Sequence, residues 1–389
     1  FELRVDGERV PVEPQVFEVL TFMVEQRGRL VARTEILDTI WGDRFVSDAA
    51  LASRIAAARA AIGDDGKTQR YIRTVHGRGL QFVGDVAVAV EPHEHVEPVD
   101  EEPVDTGDGL HQTIRFVTAP DGHRLAVAAT GAGRPLVKAA TWLTPVEHDW
   151  RSPVWHHWLT ELGRRFHFVR YDARGSGLSD RDLSGSDMTD PDLWADDLDA
   201  VIDATTSEPV VLLGVSQGAV PAIVTALRRP ERVSHLVLFG SYSEGMRLRG
   251  PQASAESDTL LQLIRAGWGG SNPAFRTVFT MNFMPSATSE QMRVFNDLQI
   301  NSADAANALE LEAAFHEVDV GALAGGVEVP TLVMHCRDDR ATPYEQGRRL
   351  AASIPDAEFV TIESENHVLT ADEPGWPAFL DHLDRFTSS

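Results

Sequence analysis

An acidic, proline-containing segment, residues 86–109, divides this chain of 389 residues into two parts. It holds eight carboxylates and three prolines, and it contains no Lys or Arg. Such a segment cannot bury enough apolar surface to offset the entropy lost on ordering, which predicts an extended linker. We therefore expect two folded domains, residues 1–85 and 110–389, in agreement with a length typical of two or three domains.

The composition excludes several classes of protein. Hydrophobic residues make up 43% of the chain and charged residues 24%, values that are ordinary for a folded protein. No apolar run is long enough to span a membrane, and the first residues do not resemble a secretion signal. The single cysteine, Cys336, excludes an intrachain disulfide and favours the cytoplasm. We expect no cofactor and no metal, because the His93–His95 triplet lies in the linker without supporting residues.

The first domain combines strand and helix patterns. Its opening residues, FELRVDGERVPVE, alternate between apolar and polar around Asp6–Gly7, which predicts a hairpin. A second hairpin is predicted for residues 71–83, YIRTVHGRGLQFV. Three helical patterns lie between the two hairpins, at Pro14–Gln26, Arg33–Trp41 and Ser47–Ile62.

These patterns resemble the OmpR/PhoB-type winged-helix domain of bacterial transcription regulators. The resemblance covers residues 1–85 and is carried by LVARTEILDTIWGD (30–43), SDAALASRIAAARAAIG (47–63) and YIRTVHGRGLQFV (71–83). It implies that double-stranded DNA is a partner, with the third helix in the major groove and the second hairpin, the wing, at the adjacent minor groove. The alternative, a winged helix used only for protein contacts, stays open.

A helical wheel of residues 47–62 separates a buried stripe from an exposed face. Leu51, Ile55, Ala58 and Ile62 share the buried stripe, so Ser53 lies on the exposed face and two arginines lie on its flanks. The chain carries a net charge of −24, yet residues 47–84 hold six basic and three acidic residues. We expect DNA contacts from the exposed or basic residues of this stretch: Ser53, Arg54, Arg59, Arg70, Arg73 and Arg78.

The second domain alternates strands and helices, which is typical of a mostly parallel sheet covered by helices on both faces. Eight segments are strand candidates, and PVVLLGV (209–215) is apolar throughout, as expected of a central strand. The candidates are QTIRFVT, HRLAVAAT, PLVKAAT, FHFVRYD, PVVLLGV, HLVLFG, PTLVMHC and AEFVTI.

The sequence Gly214-Val215-Ser216-Gln217-Gly218 joins this central strand to a helical pattern. A GxSxG motif at such a junction predicts a nucleophile elbow that exposes Ser216. A nucleophilic serine needs a base and an orienting carboxylate, and both follow later strands in the chain order of a hydrolase triad. Asp339 follows PTLVMHC and His367 follows AEFVTI, although Asp338 is a competing acid.

These features resemble the α/β-hydrolase superfamily across residues 112–389. The segment YDARGSGLSD (171–180) matches the loop after the fourth strand of that family, and Ser216, Asp339 and His367 match its nucleophile, acid and base. The family often has His-Gly after its third strand, where this chain has Ala140-Thr141-Trp142. The resemblance implies that the backbone N–H groups of Trp142 and Gln217 form the oxyanion hole.

Residues 246–325 interrupt the strand pattern where the family inserts a helical cap over the active site. An apolar lining in this segment would favour a hydrophobic acyl, lactone or aromatic ligand. The alternative, that each of these residues only packs the cap onto the core, stays open. The candidate lining residues are Trp268, Phe275, Phe279, Met281, Phe283, Met284 and Phe295.

The two domains together predict a transcription regulator that binds DNA through a winged helix and senses or hydrolyses an ester- or lactone-like ligand at a Ser-His-Asp site. We expect it to act as a homodimer. Two alternatives stay open: an active serine esterase with an accessory winged helix, and a sensor that binds its ligand without hydrolysis.

Overall fold

A computed structural model of the chain shows two compact units, residues 1–99 and 100–389. The predicted linker, apart from Gly109, lies outside the described residues, as do the Asp6–Gly7 turn and the His93–His95 triplet. The described residues are 3–5, 8–10, 12–27, 29–41, 48–75, 78–84, 109–270, 272 and 274–388.

The first unit contains the three predicted helices and both predicted hairpins. Leu30–Val31 adds a short strand that the sequence did not predict, and it pairs antiparallel with the last strand of the wing. Its helices are α1 (Pro14–Glu25), α2 (Arg33–Trp41) and α3 (Asp48–Ala61). Its strands are β1 (Leu3–Val5), β2 (Glu8–Val10), β3 (Leu30–Val31), β4 (Ile72–Val75) and β5 (Gly79–Phe82).

The apolar stripe of α3 faces the core of this unit. Leu51, Ile55 and Ala58 are buried against residues of α1 and of the wing, as the helical wheel predicts, whereas Ile62 is only partly buried. Burying such a stripe stabilises a helix whose alanine-rich remainder has little apolar surface to bury. The core therefore determines which face of α3 points outward.

Asp64 connects the end of α3 to the wing. Its buried carboxylate accepts hydrogen bonds from the backbone N–H groups of Asp65, Arg70, Tyr71 and Ile72, at 2.8–3.0 Å. Burial by itself would raise the pKa of Asp64, but these four donors hold the pKa well below its usual range. The carboxylate thus fixes the path of the chain from α3 into β4.

The second unit is built on one eight-stranded sheet, and all eight predicted strands are confirmed. The strand order is β13-β12-β11-β10-β8-β9-β7-β6. Strands β8 to β13 run parallel to one another, and β7 is antiparallel to both of its neighbours, β9 and β6. The strands are β6 (Thr113–Thr118), β7 (Arg124–Thr130), β8 (Pro135–Lys138), β9 (His167–Tyr171), β10 (Val210–Val215), β11 (Val233–Phe239), β12 (Thr331–Cys336) and β13 (Glu358–Ile362).

Helices connect these strands, and a group of them forms the predicted cap between β11 and β12. The helices outside the cap are α4 (Val146–Asp149), α5 (His156–Arg165), α6 (Pro191–Thr205), α7 (Ala219–Arg228), α13 (Tyr344–Ser353) and α14 (Gly375–Thr387). Those of the cap are α8 (Pro251–Gly267), α9 (Ala274–Phe283), α10 (Ser289–Ser302), α11 (Ala305–Glu317) and α12 (Gly321–Ala324).

A buried ion pair fixes the loop that follows β9. The Arg174 side chain is fully buried, and its Nε donates a 2.8 Å hydrogen bond to Asp197 on α6. A second guanidinium nitrogen binds Asp121 at 2.8 Å. The two carboxylates compensate the buried charge, so the loop is held between α6 and the turn before β7.

Among the described residues, no helix is both long and apolar enough to cross a membrane.

We expect Asp64→Asn to weaken the first unit by roughly 1–3 kcal/mol, because the amide presents donors to backbone N–H groups. Because the pKa of Asp64 is lowered on folding, its contribution is present above about pH 4 and is lost as the pH falls below that value. Hydrogen exchange of residues 48–75 in the full chain measures both effects. Asp65→Asn is the comparison: its carboxylate also accepts backbone N–H groups, those of Lys67 and Thr68, but it is exposed, so the substitution should cost less. Equal protection of the Asp64 variant and the wild type at pH 7 would contradict the prediction.

Candidate active site and DNA-binding surface

Ser216 lies in a sharp turn directly after β10. Its φ angle is 53°, in the left-handed region that is unfavourable for a residue with a side chain. A Cβ on Gly214 would lie 2.9 Å from the Ala219 Cα, and a Cβ on Gly218 would lie 3.1 Å from the Ala139 carbonyl oxygen. Both glycines of the GxSxG motif are therefore required by close backbone approaches, as expected of a nucleophile elbow.

Asp339 and His367 are in direct contact. The Asp339 Oδ2 atom lies 2.7 Å from His367 Nδ1, and Oδ1 accepts hydrogen bonds from the backbone N–H groups of Ala341 and Thr342. Within the described part of the chain, the buried His367 Nε2 atom has no hydrogen-bond partner. Asp338 is exposed, so the carboxylate that orients the imidazole belongs to Asp339.

Strand register brings Ser216 and the imidazole to the same edge of the sheet. Val215 pairs with Phe239 in the parallel β10–β11 ladder, and the next residues along these strands are Ser216 and Gly240. A Cβ on Gly240, which has a φ of +59°, would lie 2.9 Å from the His367 Cε1 atom. The imidazole thus packs directly on Gly240, the residue beside Ser216, and leaves no space for a side chain at position 240.

The end of cap helix α9 is bound to the segment that carries His367. The Phe283 carbonyl oxygen accepts the backbone N–H groups of His367 and Val368, at 2.8 and 3.3 Å. The Phe283 ring meets the imidazole edge-on, with ring centroids 5.5 Å apart. Ser286 adds a 2.9 Å hydrogen bond from its hydroxyl to Asn366. The position of His367 therefore depends on the cap as well as on the sheet.

A cleft with about 650 Å³ of empty space, its mouth included, lies above Ser216. Trp142 and Gln217, the predicted oxyanion residues, both line it. Of the predicted cap residues, Phe279 and Phe283 line it and the others do not. Its wall combines large apolar side chains with polar and charged ones. The large apolar residues include Trp142, Leu143, Leu260, Phe279, Phe283 and Phe315, and the charged or titratable ones include Arg249, Glu312, His316 and Arg340.

A buried polar cluster, which the sequence patterns did not predict, lies beneath the loop that carries Trp142. The Lys138 ammonium donates to Thr141 Oγ1 at 3.2 Å, and Asp172 accepts the Val146 N–H at 2.7 Å. Arg170 lies 3.6 Å from Asp149. Burial lowers the pKa of Lys138 and raises the pKa of Asp149. The cluster supports the loop from below, and charged residues within apolar strand patterns, Lys138 and Arg170, were the signal for it.

On the first unit, the exposed arginines among the predicted DNA-contacting residues lie on the wing and directly before it. Arg70, Arg73 and Arg78 are exposed, and so is Ser53 on α3. Arg70 lies over the Tyr71 ring, 5.0 Å from its centroid. These cations are available to phosphates, which attract basic side chains irrespective of base sequence.

The two arginines of α3 differ from the expectation. The prediction of Arg59 as a DNA contact is wrong, because the residue is buried and its guanidinium donates to the Ile72 carbonyl oxygen at 2.7 Å and to Thr74 Oγ1 at 2.9 Å. Arg59 joins α3 to β4 instead. Arg54 is half-buried and forms an ion pair with Glu13. The helical wheel located both flanks but could not show what packs against them.

Within the described residues, no group of three His, Cys, Asp or Glu side chains is arranged to hold a metal ion.

Comparison with known families identifies both units. Residues 150–374 match the model of a family described as the alpha/beta hydrolase fold, and this match covers more than half of the chain. The chain therefore belongs to the alpha/beta hydrolase family. Residues 7–82 match a family described as transcriptional regulatory protein, C terminal. The chain thus combines a transcription-regulator DNA-binding domain of the OmpR/PhoB type with a hydrolase domain.

Individual relatives match one unit or the other. The 2-hydroxy-6-oxononadienedioate/2-hydroxy-6-oxononatrienedioate hydrolase of Cupriavidus pinatubonensis is 31% identical over 254 residues, which cover 64% of this chain and 86% of that enzyme. The transcriptional regulator HilA of Salmonella typhimurium is 34% identical over 98 residues, 24% of this chain and 18% of HilA. An esterase from Exiguobacterium antarcticum has the same fold as the second unit, with a TM-score of 0.59 at 22% identity, and the match covers 71% of this chain and all of the esterase.

We expect Lys138→Met to destabilise the second unit by roughly 3–5 kcal/mol, because it removes one of the two buried cations, Lys138 and Arg170, that compensate the carboxylates of Asp149 and Asp172. The double variant Lys138→Met/Asp149→Asn should cost less than the sum of the single variants, by roughly 0.5–3 kcal/mol. Urea unfolding measures these differences. Lys67→Met, at an exposed lysine, is the control. Additive costs would contradict an interaction between Lys138 and Asp149.

Proposed function

We propose that this protein is a DNA-binding transcription regulator whose hydrolase unit binds and hydrolyses a small ester or lactone at Ser216, His367 and Asp339. One observation carries the proposal. The imidazole of His367 is oriented by Asp339 through Nδ1, while the buried Nε2 atom is left without a partner among the described residues. A catalytic base needs one ring nitrogen fixed and the other able to take the proton of the nucleophile. The hydrogen bond from Ser216 Oγ to Nε2 is not formed in this structure, and we propose that it forms when the substrate binds.

In the proposed reaction, Ser216 Oγ attacks the carbonyl carbon of the ester while its proton passes to His367 Nε2. The backbone N–H groups of Trp142 and Gln217 stabilise the oxyanion that forms. His367 then gives the proton to the leaving alkoxide, and an alcohol departs from the acyl-enzyme. Water, activated by the same imidazole, releases the acid and restores Ser216, so the net reaction is hydrolysis.

The lining of the cleft supports a ligand with a large apolar part. Trp142, Phe279 and Phe283 approach Ser216 from the sheet side and from the cap. The Trp142 ring also packs on the cap, with its centroid 5.1 Å from that of Trp268.

We also propose that the protein binds DNA as a homodimer. Among the exposed residues of α3, Ser53 offers a hydrogen bond to a base edge, whereas Ala56, Ala57 and Ala60 offer only methyl contacts. A single copy would therefore discriminate weakly between base sequences, and two copies would double the readout. The ligand would act as an effector if its affinity differs between two arrangements of the dimer.

The hydrolytic half predicts that the full chain cleaves a short p-nitrophenyl ester and that Ser216→Ala abolishes the reaction. Asp339→Asn should lower kcat by about 10³–10⁴-fold, because the imidazole loses the partner that fixes its tautomer. Asp338→Asn is the matched control and should retain the wild-type rate, since this carboxylate is exposed. An inactive wild type would favour the sensor without hydrolysis.

The DNA-binding part of the proposal predicts that the protein retards DNA from its own promoter in a gel-shift assay. It also predicts that this binding weakens steeply as the salt concentration rises. The variant Arg73→Ala/Arg78→Ala should reduce the slope of log affinity against log salt by about 2, one unit for each lost phosphate contact. Arg348→Ala, an exposed arginine on the hydrolase unit, is the control. Unchanged binding by the double variant would contradict the assigned surface and favour a winged helix used for protein contacts.

A further inference from the structure

Arg249 is a cation in the wall of the cleft for which no carboxylate serves as partner. It lines the cleft together with Ser216. Its Nε atom donates a 2.7 Å hydrogen bond to the Glu244 carbonyl oxygen, and its guanidinium lies 4.7 Å from the centroid of the Tyr242 ring. In the part of the chain that the structure describes, Arg249 forms no ion pair, so its two terminal nitrogens keep their donors.

The other arginine of the cleft wall differs in this respect. Arg340 lies 3.3 Å from the Glu365 carboxylate and is largely exposed, so its charge is both paired and screened by water. Arg249 is partly buried, and burial lowers its pKa. A charge that is removed from water without a partner costs free energy, which a bound anion would recover.

The nearby acids do not pair with Arg249. Glu244 and Asp339 act on its charge and by themselves raise its pKa, but neither forms an ion pair with it among the described residues. The Asp339 carboxylate is bound to His367 and to backbone N–H groups. Glu312, which also lines the cleft, lies 3.2 Å from His316 Nε2. The Arg249 guanidinium is therefore available to a ligand.

The surroundings of Arg249 determine which ligand would bind there. The cap side of the cleft wall contributes large apolar side chains, Leu260, Phe279 and Phe315. A planar guanidinium with free donors matches a carboxylate in a two-point hydrogen bond, and this contact is stronger where water is partly excluded. An apolar body with one carboxylate at its end would satisfy both the aromatic wall and the cation.

We propose that Arg249 is the anchor of an anion subsite and that the ligand of the cleft is an amphipathic carboxylate whose ester or lactone group lies at Ser216. This inference deepens the proposed function and rests on it for the position of the reacting group. The carboxylate of the ligand is not altered in the reaction, so Arg249 is a specificity-determining residue that holds the substrate.

The test compares a carboxylate with its neutral isostere. Binding of 3-phenylpropanoate and 3-phenylpropanamide to the full chain is measured by calorimetry in a Ser216→Ala background, so that neither probe is turned over. We expect the carboxylate to bind about tenfold more tightly, the value of one charge-assisted hydrogen bond. Arg249→Gln should abolish this preference, and Arg249→Lys should retain part of it because the charge remains.

The matched control is Arg247→Gln. Arg247 lies two positions earlier in the same segment and forms an ion pair with Asp258, and it does not line the cleft. It should keep the wild-type preference. Equal affinity for both probes, no binding of either at millimolar concentration, or an unchanged preference in Arg249→Gln would each overturn the subsite. Because binding is measured without turnover, these results are independent of whether the p-nitrophenyl ester is hydrolysed.

Discussion

Parallel strands that end at one edge of the sheet are the constraint on which the proposed active site depends. The register of β10 against β11 sets Ser216 beside Gly240, and the ladders to β12 and β13 bring the segments of Asp339 and His367 to the same edge. Space at this edge is so limited that a Cβ on Gly240 would meet the imidazole. The placement of the proposed catalytic residues thus follows from the strand order and from a few positions that have no space for a side chain.

Features that arise from local pattern were predictable from the sequence. All eight strands of the large sheet and the three helices of the winged helix follow from apolar periodicity, because each buries a continuous stripe or run. The motif around Ser216 was informative because it joined a strand pattern to a helix pattern. Leu30–Val31 was missed, since two residues are too few to show any period and the strand exists only through its pairing with the wing.

Features that depend on tertiary partners were not predictable. The wheel put Arg59 at the edge of α3, but only the fold shows the carbonyl oxygen of Ile72 within reach of its guanidinium. Lys138 and Asp64 are buried polar residues whose partners are set by loop and turn geometry, which no period in the sequence shows. Arg59 is buried and Arg54 is paired with Glu13, so neither arginine of α3 is a free cation. The cations available to DNA therefore belong to the wing and to the turn before it.

Phe283 connects the wall of the cleft to the segment that carries His367. The same residue ends a cap helix, lines the cleft and holds the backbone of the imidazole through its carbonyl oxygen. A compound too bulky for the cleft would press on the Phe283 ring, and the displacement would reach the His367 backbone through the same residue. In the proposed reaction, ligand size and the position of the base are therefore coupled, and an oversized ligand would hinder proton transfer as well as bind poorly.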